Sequence, residues 1–178
     1  LHKEYPKFTL DGIGFDLHEG EIMGLIGRNG AGKTTAIKAI LNLIHAGGSV
    51  RYFGLDLRKH EAAIKQQVGY AAGEVSWYPK RRIRDLVAVT RRFYGTWDDA
   101  AYARYLRLFE LDDAKTPAEL SQGMRVKLSL ALALSHGARI LILDEPTSGI
   151  DPVSRDEMLE VFRFLAGEGA AILYSTHI

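Results

Sequence analysis

The sequence predicts an α/β domain with an all-helical segment inserted into it. Three observations carry that reading. Strand-like apolar runs alternate with stretches of helical periodicity toward both ends of the chain. A glycine-rich loop, GRNGAGKTT, separates one such run from one such helix. From Pro79 to about Gly137 the strand signals vanish and only helical patterns remain.

Taken in order, EIMGLIG is a short apolar run broken by glycine and reads as a buried strand. KTTAIKAILNLI follows, with Ile37, Ile40, Leu41 and Ile44 at helical spacing, and predicts a helix across that stretch. SVRYFG reads as a strand, KHEAAIKQQ as a helix and VGYAAG as another strand. RRIRDLVAVTRRFYG and DDAAYARYLRLFEL are amphipathic helices by periodicity. SQGMRVKLSLALALSHG is ambiguous, because Val126, Leu128, Leu130, Leu132 and Leu134 alternate as in a strand. Its Leu and Ala content, Ser121 as N-cap and Gly137 as a stop decide for helix. RILIL is the clearest buried strand, leading directly into Asp144 and Glu145. Asp151 and Pro152 open a helix as N-cap and first helical residue, running to about Gly167, and AAILYS is a last strand.

The composition belongs to an ordinary globule: 178 residues, 47% hydrophobic and 25% charged, enough for one packed domain with a subdomain. A net charge of +1 supplies no electrostatic case for nucleic acid or an anionic membrane surface. KRRIRD and RRF read as solvated helix faces. The absence of cysteine excludes disulfides and thiolate metal sites and fits a reducing compartment. No stretch approaches the ~18–20 apolar residues of a membrane-spanning helix, and LHKEYPKFTLDG has no apolar run of the secretory kind. Any membrane role would come through a partner. The start at Leu1 rather than Met predicts a longer natural product.

The glycine loop carries the first chemistry. Gly27 to Thr34 matches G-x-x-x-x-G-K-[ST], with a strand before it and a helix after it. At ordinary glycine frequency such a match arises by chance in about one chain in a hundred of this size. Backbone N–H groups of Gly27, Arg28, Asn29, Gly30, Ala31 and Gly32 would turn inward on a phosphate, with the glycines permitting the curl. The helix N-terminus adds partial positive charge. Lys33 would reach the β- and γ-phosphates, Thr34 would bind Mg²⁺ and Thr35 would touch the α-phosphate. A carboxylate at the end of a buried strand is costly without compensation. In such NTPases an acid placed like Asp144 holds Mg²⁺, which leaves Glu145 to orient and deprotonate the attacking water.

LSQGM, shortly before ILILDE, resembles the LSGGQ signature of ATP-binding-cassette ATPases, with Ser121 and Gly123 matching and Gln122 and Met124 departing. The resemblance implies a P-loop NTPase (RecA-like) core, residues 1–72 and 138–178, with a helical subdomain over 73–137 and a small antiparallel β subdomain. It implies ATP and Mg²⁺ as cofactors. Ser121, Gln122 and Gly123 would bind the γ-phosphate of ATP held by an opposite subunit, and Asp151 in SGID would contact that subunit's glycine loop. His177 in STHI matches the switch histidine, a sensor of the γ-phosphate. Tyr5 stands where an aromatic stacks on adenine, or is a surface tyrosine. Where the family carries a glutamine this chain has Gly73 followed by Glu74. Either Glu74 substitutes as a Mg²⁺ ligand, or that contact is absent. The pattern resembles bacterial export-type subunits. That implies a cytoplasmic ATPase, peripheral on the inner face of the membrane through a separate permease, working as a homodimer or as a heterodimer with a related subunit. Trp77, Tyr78, Phe93, Tyr94 and Tyr105 are candidate permease contacts. No nucleic-acid partner is expected. The alternatives are a soluble member in DNA repair or on the ribosome, or a regulatory cassette with little hydrolysis. Family members continue past the switch histidine, which again predicts a longer chain.

Overall fold

A four-stranded parallel sheet forms the centre of the computed structural model, which describes residues 1–72 and 78–177. Its strands are β3 (Ile22–Ile26), β6 (Val68–Ala72), β7 (Ile140–Asp144) and β8 (Ala171–Thr176), in the spatial order β3-β8-β7-β6. Short antiparallel pairs stand outside it: β1 (Lys3–Tyr5) with β2 (Phe8–Leu10), and β4 (Arg51–Tyr52) with β5 (Leu55–Asp56).

Both faces of the sheet are covered, which is why its strands are apolar without alternation. One face packs against α1 (Lys33–Ile40) and α2 (Glu61–Lys65): Ile37, Ile40 and Ile64 cluster with Val68, Ile142 and Leu173. The other packs against α5 (Gln122–Ser135) and α6 (Pro152–Gly167), where Leu128, Leu130, Met158 and Phe162 meet Leu141, Leu143 and Ile172, and α4 (Asp99–Leu108) lies against α5. Leu141, Ile142 and Leu143 thus go alternately to the two layers, as the pleat requires.

The helix signals behave as the sequence predicts. Ser121 caps α5 by accepting the Met124 N–H at 3.2 Å, and Gly137 beyond its end has φ +77°. Asp151 caps α6 by accepting the Ser154 N–H at 3.0 Å, with Pro152 at the first position. Met158, Phe162, Leu165 and Ala166 form its buried stripe. Asp98 caps α4 through the Ala100 and Ala101 N–H groups. Among the described residues between Tyr78 and Gly137 there is no strand, only α3 (Ile83–Thr90), α4, α5 and short 3₁₀ turns.

Three elements differ from expectation. The helix predicted through Ile44 stops at Ile40, because Asn42 takes a left-handed conformation, φ 56°, which asparagine tolerates better than most residues. SVRYFG forms only the two-residue strand β4, since its chain turns at once into β5. Tyr105 is 8% exposed, stacks on Phe109 and belongs to the core, so it is not available to a partner. Its hydroxyl takes an Arg104 N–H at 2.8 Å.

The close approach of α5 to β6 depends on one residue. A Cβ on Gly69 would run into the Ala133 Cβ and come within 2.9 Å of Leu141 Cδ2. Both neighbours are held, one on a helix and the other in the core. Gly69→Ala should therefore lower unfolding stability by about 1–3 kcal/mol, measured by denaturant titration, and adding Ala133→Gly should recover part of the loss.

Candidate functional site

Parallel strands bring all their carboxyl ends to one edge of the sheet, where ligands bind in open α/β folds. Here that edge gathers Ile26, Ala72, Asp144 and Thr176, with Ile26 in register with Thr176 and Ala72 with Asp144. The glycine loop leaves β3 here and is tied to β8 by the Gly27 N–H donating to the Thr176 carbonyl at 3.2 Å.

The loop curls as its glycines allow. Gly30 and Gly32 have φ +83° and +94°. Gly27 has no such backbone; its need is space, because an added Cβ would sit 3.0 Å from that of Ala31. Gly32 is needed on both counts, since a Cβ there would lie 2.5 Å from Phe8 Cζ. The Phe8 ring thus leans on the loop, and sequence reasoning missed it because KFTL carries no strand pattern long enough to read. Phe8 joins Asn29, Gly30, Ala31, Gly32, Lys33, Thr34, Thr35, Glu145 and His177 around a cavity of about 330 Å³. The cavity opens at the start of α1 and is lined by most of the motif residues; Gly27, Arg28 and Asp144 are not among its lining.

Lys33 Nζ donates to the carbonyls of Gly27 (2.7 Å) and Arg28 (3.3 Å) and lies 3.1 Å from Glu145 Oε1. The other carboxylate oxygen of Glu145 takes a hydrogen bond from His177 Nδ1 at 2.7 Å. Burial pushes the Glu145 carboxyl up, but His177 and Lys33 outweigh it and hold the group below its ordinary value of 4.5. Asp144, only 7% exposed, takes the Ser175 hydroxyl at 2.6 Å. Among the described residues no cationic side chain pairs with it.

Other expected residues stand apart. Arg28 carries its carbonyl to Lys33 but does not line the cavity. Ser121, Gln122, Gly123 and Asp151 do not line it either. They are grouped at the openings of α5 and α6, where Gly123 faces Ile150 Cδ1 at 3.8 Å from its would-be Cβ. The Ser154 N–H bond holds the Asp151 carboxyl below the usual range. Tyr5 is exposed on β1, opposite Phe8, with Lys3 Nζ over its ring at 5.5 Å. Glu74, Gly73 and Trp77 lie outside the described residues. Among the described residues no cluster of three or more acidic or histidine side chains forms a metal cage. No helix among them is long and apolar enough to cross a membrane.

Sheet order, glycine loop and strand-end acids together define the class: a P-loop NTPase fold. The profile described as ABC transporter matches residues 10–148. The linearmycin resistance ATP-binding protein LnrL of Bacillus subtilis is 35% identical over 184 residues, covering 99% of this chain and 59% of the relative. The Nod factor export ATP-binding protein I of Burkholderia pseudomallei is 37% identical over 185 residues, covering 99% and 60%. A solved ATP-binding subunit of an ABC transporter superposes with a TM-score of 0.84 at 31% identity, over 100% of this chain and 77% of its own. The chain belongs to the ABC transporter family, and it spans about three fifths of the length of those curated relatives.

Because the folded state lowers the Glu145 value, the stability this group contributes is complete above about 4.5 and is lost as pH falls through the lowered value. Glu145→Gln should therefore show a smaller loss of melting temperature than the parent when both are acidified below about pH 4.5. Parallel losses in the two proteins would refute the ion-paired state of Glu145.

Proposed function

We propose that this chain is an ATP-binding and ATP-hydrolysing subunit that powers transport across a membrane through a separate permease chain. The observation that carries the reading is the meeting of Lys33, Glu145 and His177 at the mouth of the glycine loop. In this reading the loop N–H groups and Lys33 hold the triphosphate, with Thr35 toward the α-phosphate. Glu145 acts as general base on the attacking water, and His177 keeps it oriented.

Asp144 and the Thr34 hydroxyl would hold Mg²⁺. The fit rests on Asp144: a nearly buried carboxylate whose protein partner is the neutral Ser175 hydroxyl leaves negative charge for a cation to balance. Mg²⁺ commonly sits on one or two carboxylates together with substrate phosphates, which suits a site with no all-protein cage among the described residues. When bound, the metal supplies charge neutralisation on the phosphates. Lys33, now held by two carbonyls and Glu145, would turn to the nucleotide and leave Glu145 free for water.

Ser121, Gln122, Gly123 and Asp151 would serve the nucleotide of a second copy or a related subunit, in line with their position outside this chain's own cavity. Tyr5 would stack on adenine, and Glu74 would stand in for the family glutamine. We divide the chain into an ATPase core, 1–72 and 138–178, and a helical subdomain, 73–137. Tyr78, 74% exposed, the exposed Phe93 and the half-buried Tyr94, whose ring stacks on His136, are the described candidates for contact with the permease, which would hold the subunit on the cytoplasmic face of the membrane.

Lys33→Ala should weaken ATP binding by more than about thirtyfold, because removing one partner of a desolvated charge contact costs about 2–5 kcal/mol. Isothermal titration reads it, and unchanged affinity would sink the site assignment. Glu145→Gln should bind ATP and lose about 100-fold or more of its turnover, followed by phosphate release.

A further inference from the structure

We infer that Ser175 is a positioning residue of this site, its buried hydroxyl fixing the Asp144 carboxylate and the Glu145 backbone from the neighbouring strand. For its effect on turnover this rests on the ATP-hydrolysing reading; its geometric half does not.

Ser175 is fully buried near the end of β8. In its strand it shares a face with Leu173, which packs on the α1 side; in β7, Asp144 shares that face with Ile142. With Leu143 opposite Tyr174, the next residues along the two strands bring Ser175 and Asp144 side by side. A hydroxyl has one proton and two lone pairs, and both functions are used. The proton goes to Asp144 Oδ1 at 2.6 Å, and the oxygen accepts the Glu145 N–H at 2.8 Å.

The second bond falls at a backbone position that needs support. Glu145 has φ 51°, a left-handed conformation that an L residue with a long side chain rarely adopts. That turn ends β7 and sends the Glu145 carboxylate to Lys33 and His177. One serine therefore sets two consecutive acids that have different partners. Deleting its hydroxyl leaves a donor and a charged acceptor without their bond at once, and displacements of about 1 Å at reacting groups cost up to about a hundredfold in rate.

The test compares the full chain with Ser175→Ala and Ser175→Thr by amide hydrogen exchange in NMR, and by ATP turnover with kcat and KM separated. In Ser175→Ala the Glu145 amide should lose about tenfold of its protection, while Leu141, Leu143 and Ile172 keep theirs. The kcat should fall about ten- to hundredfold with KM for ATP within about twofold of the parent, and threonine should restore both. Unchanged protection at Glu145 would overturn the inference. So would equal loss throughout β7 and β8, which is the mark of a merely structural serine. If Ser175→Ala does not fold, Ser175→Cys, similar in size and a weak donor, takes its place with the same outcomes. A parent protein that turns over no ATP would refute the proposed function, yet the exchange result would still decide the role of Ser175.

Discussion

The arrangement of this molecule depends on a carboxylate held where water scarcely reaches. Asp144 ends a strand whose other residues are packed on both faces, and it must be tolerated in a sheet edge shared with β6 and β8. A neutral hydroxyl donor compensates only part of the cost of an ionised, nearly buried acid. The rest calls for positive charge from outside the sheet. The start of α1, the loop N–H groups and Lys33 are the sources of positive potential at this edge, and they line the strand-end cavity. The apolar strands thus concentrate the chemistry at one place, since it is the only end of the sheet to which the loop and the acids both belong.

Lys33 and Glu145 solve a related problem in a different way. Each is only partly exposed and each carries charge, so each serves as the other's counter-ion across 3.1 Å, with His177 and two loop carbonyls completing the shell. A triphosphate would compete for Lys33 with groups that already satisfy it. To bind such a ligand the protein would give up an internal ion pair, and in doing so would release the carboxylate the proposed chemistry needs. On the proposed reading, binding and readiness for hydrolysis would be coupled by one exchange of partners.

Much of this was legible in the sequence because it is encoded by local rules. The glycine loop, Ser121 and Asp151 as caps, Pro152 at a first helical position and the apolar run of β7 all announce themselves within a few residues. What was not legible depends on neighbours distant in the chain. Phe8 and Gly32 are matched by folding, across a turn and a whole strand. Ser175 sits among small and apolar residues, where nothing in YSTH marks one hydroxyl as bonded 30 and 31 residues away. The short pairs β1-β2 and β4-β5 fall below the length at which alternation can be read. Ile44 fits the helical spacing of α1, yet the left-handed turn at Asn42 overrides it. Tyr105 follows helical spacing too, and there the packing sent it inward.

The placement of the signature residues has a consequence of its own. Ser121 Oγ accepts the Met124 N–H and keeps its own proton, so its cap role and the proposed second anion site would draw on the same helix N-terminus. An anion arriving there would meet a helix of 14 residues whose far end is buried in the core and packed against β6 through Gly69. Gly69 belongs to the strand that ends at Ala72, in register with Asp144. The opening of α6 approaches the same helix start, with Ile150 beside Gly123. On the proposed reading, a nucleotide held by another subunit at Ser121 would sit at one end of a helix whose other end packs closely, at Gly69, on the strand beside this chain's own acids.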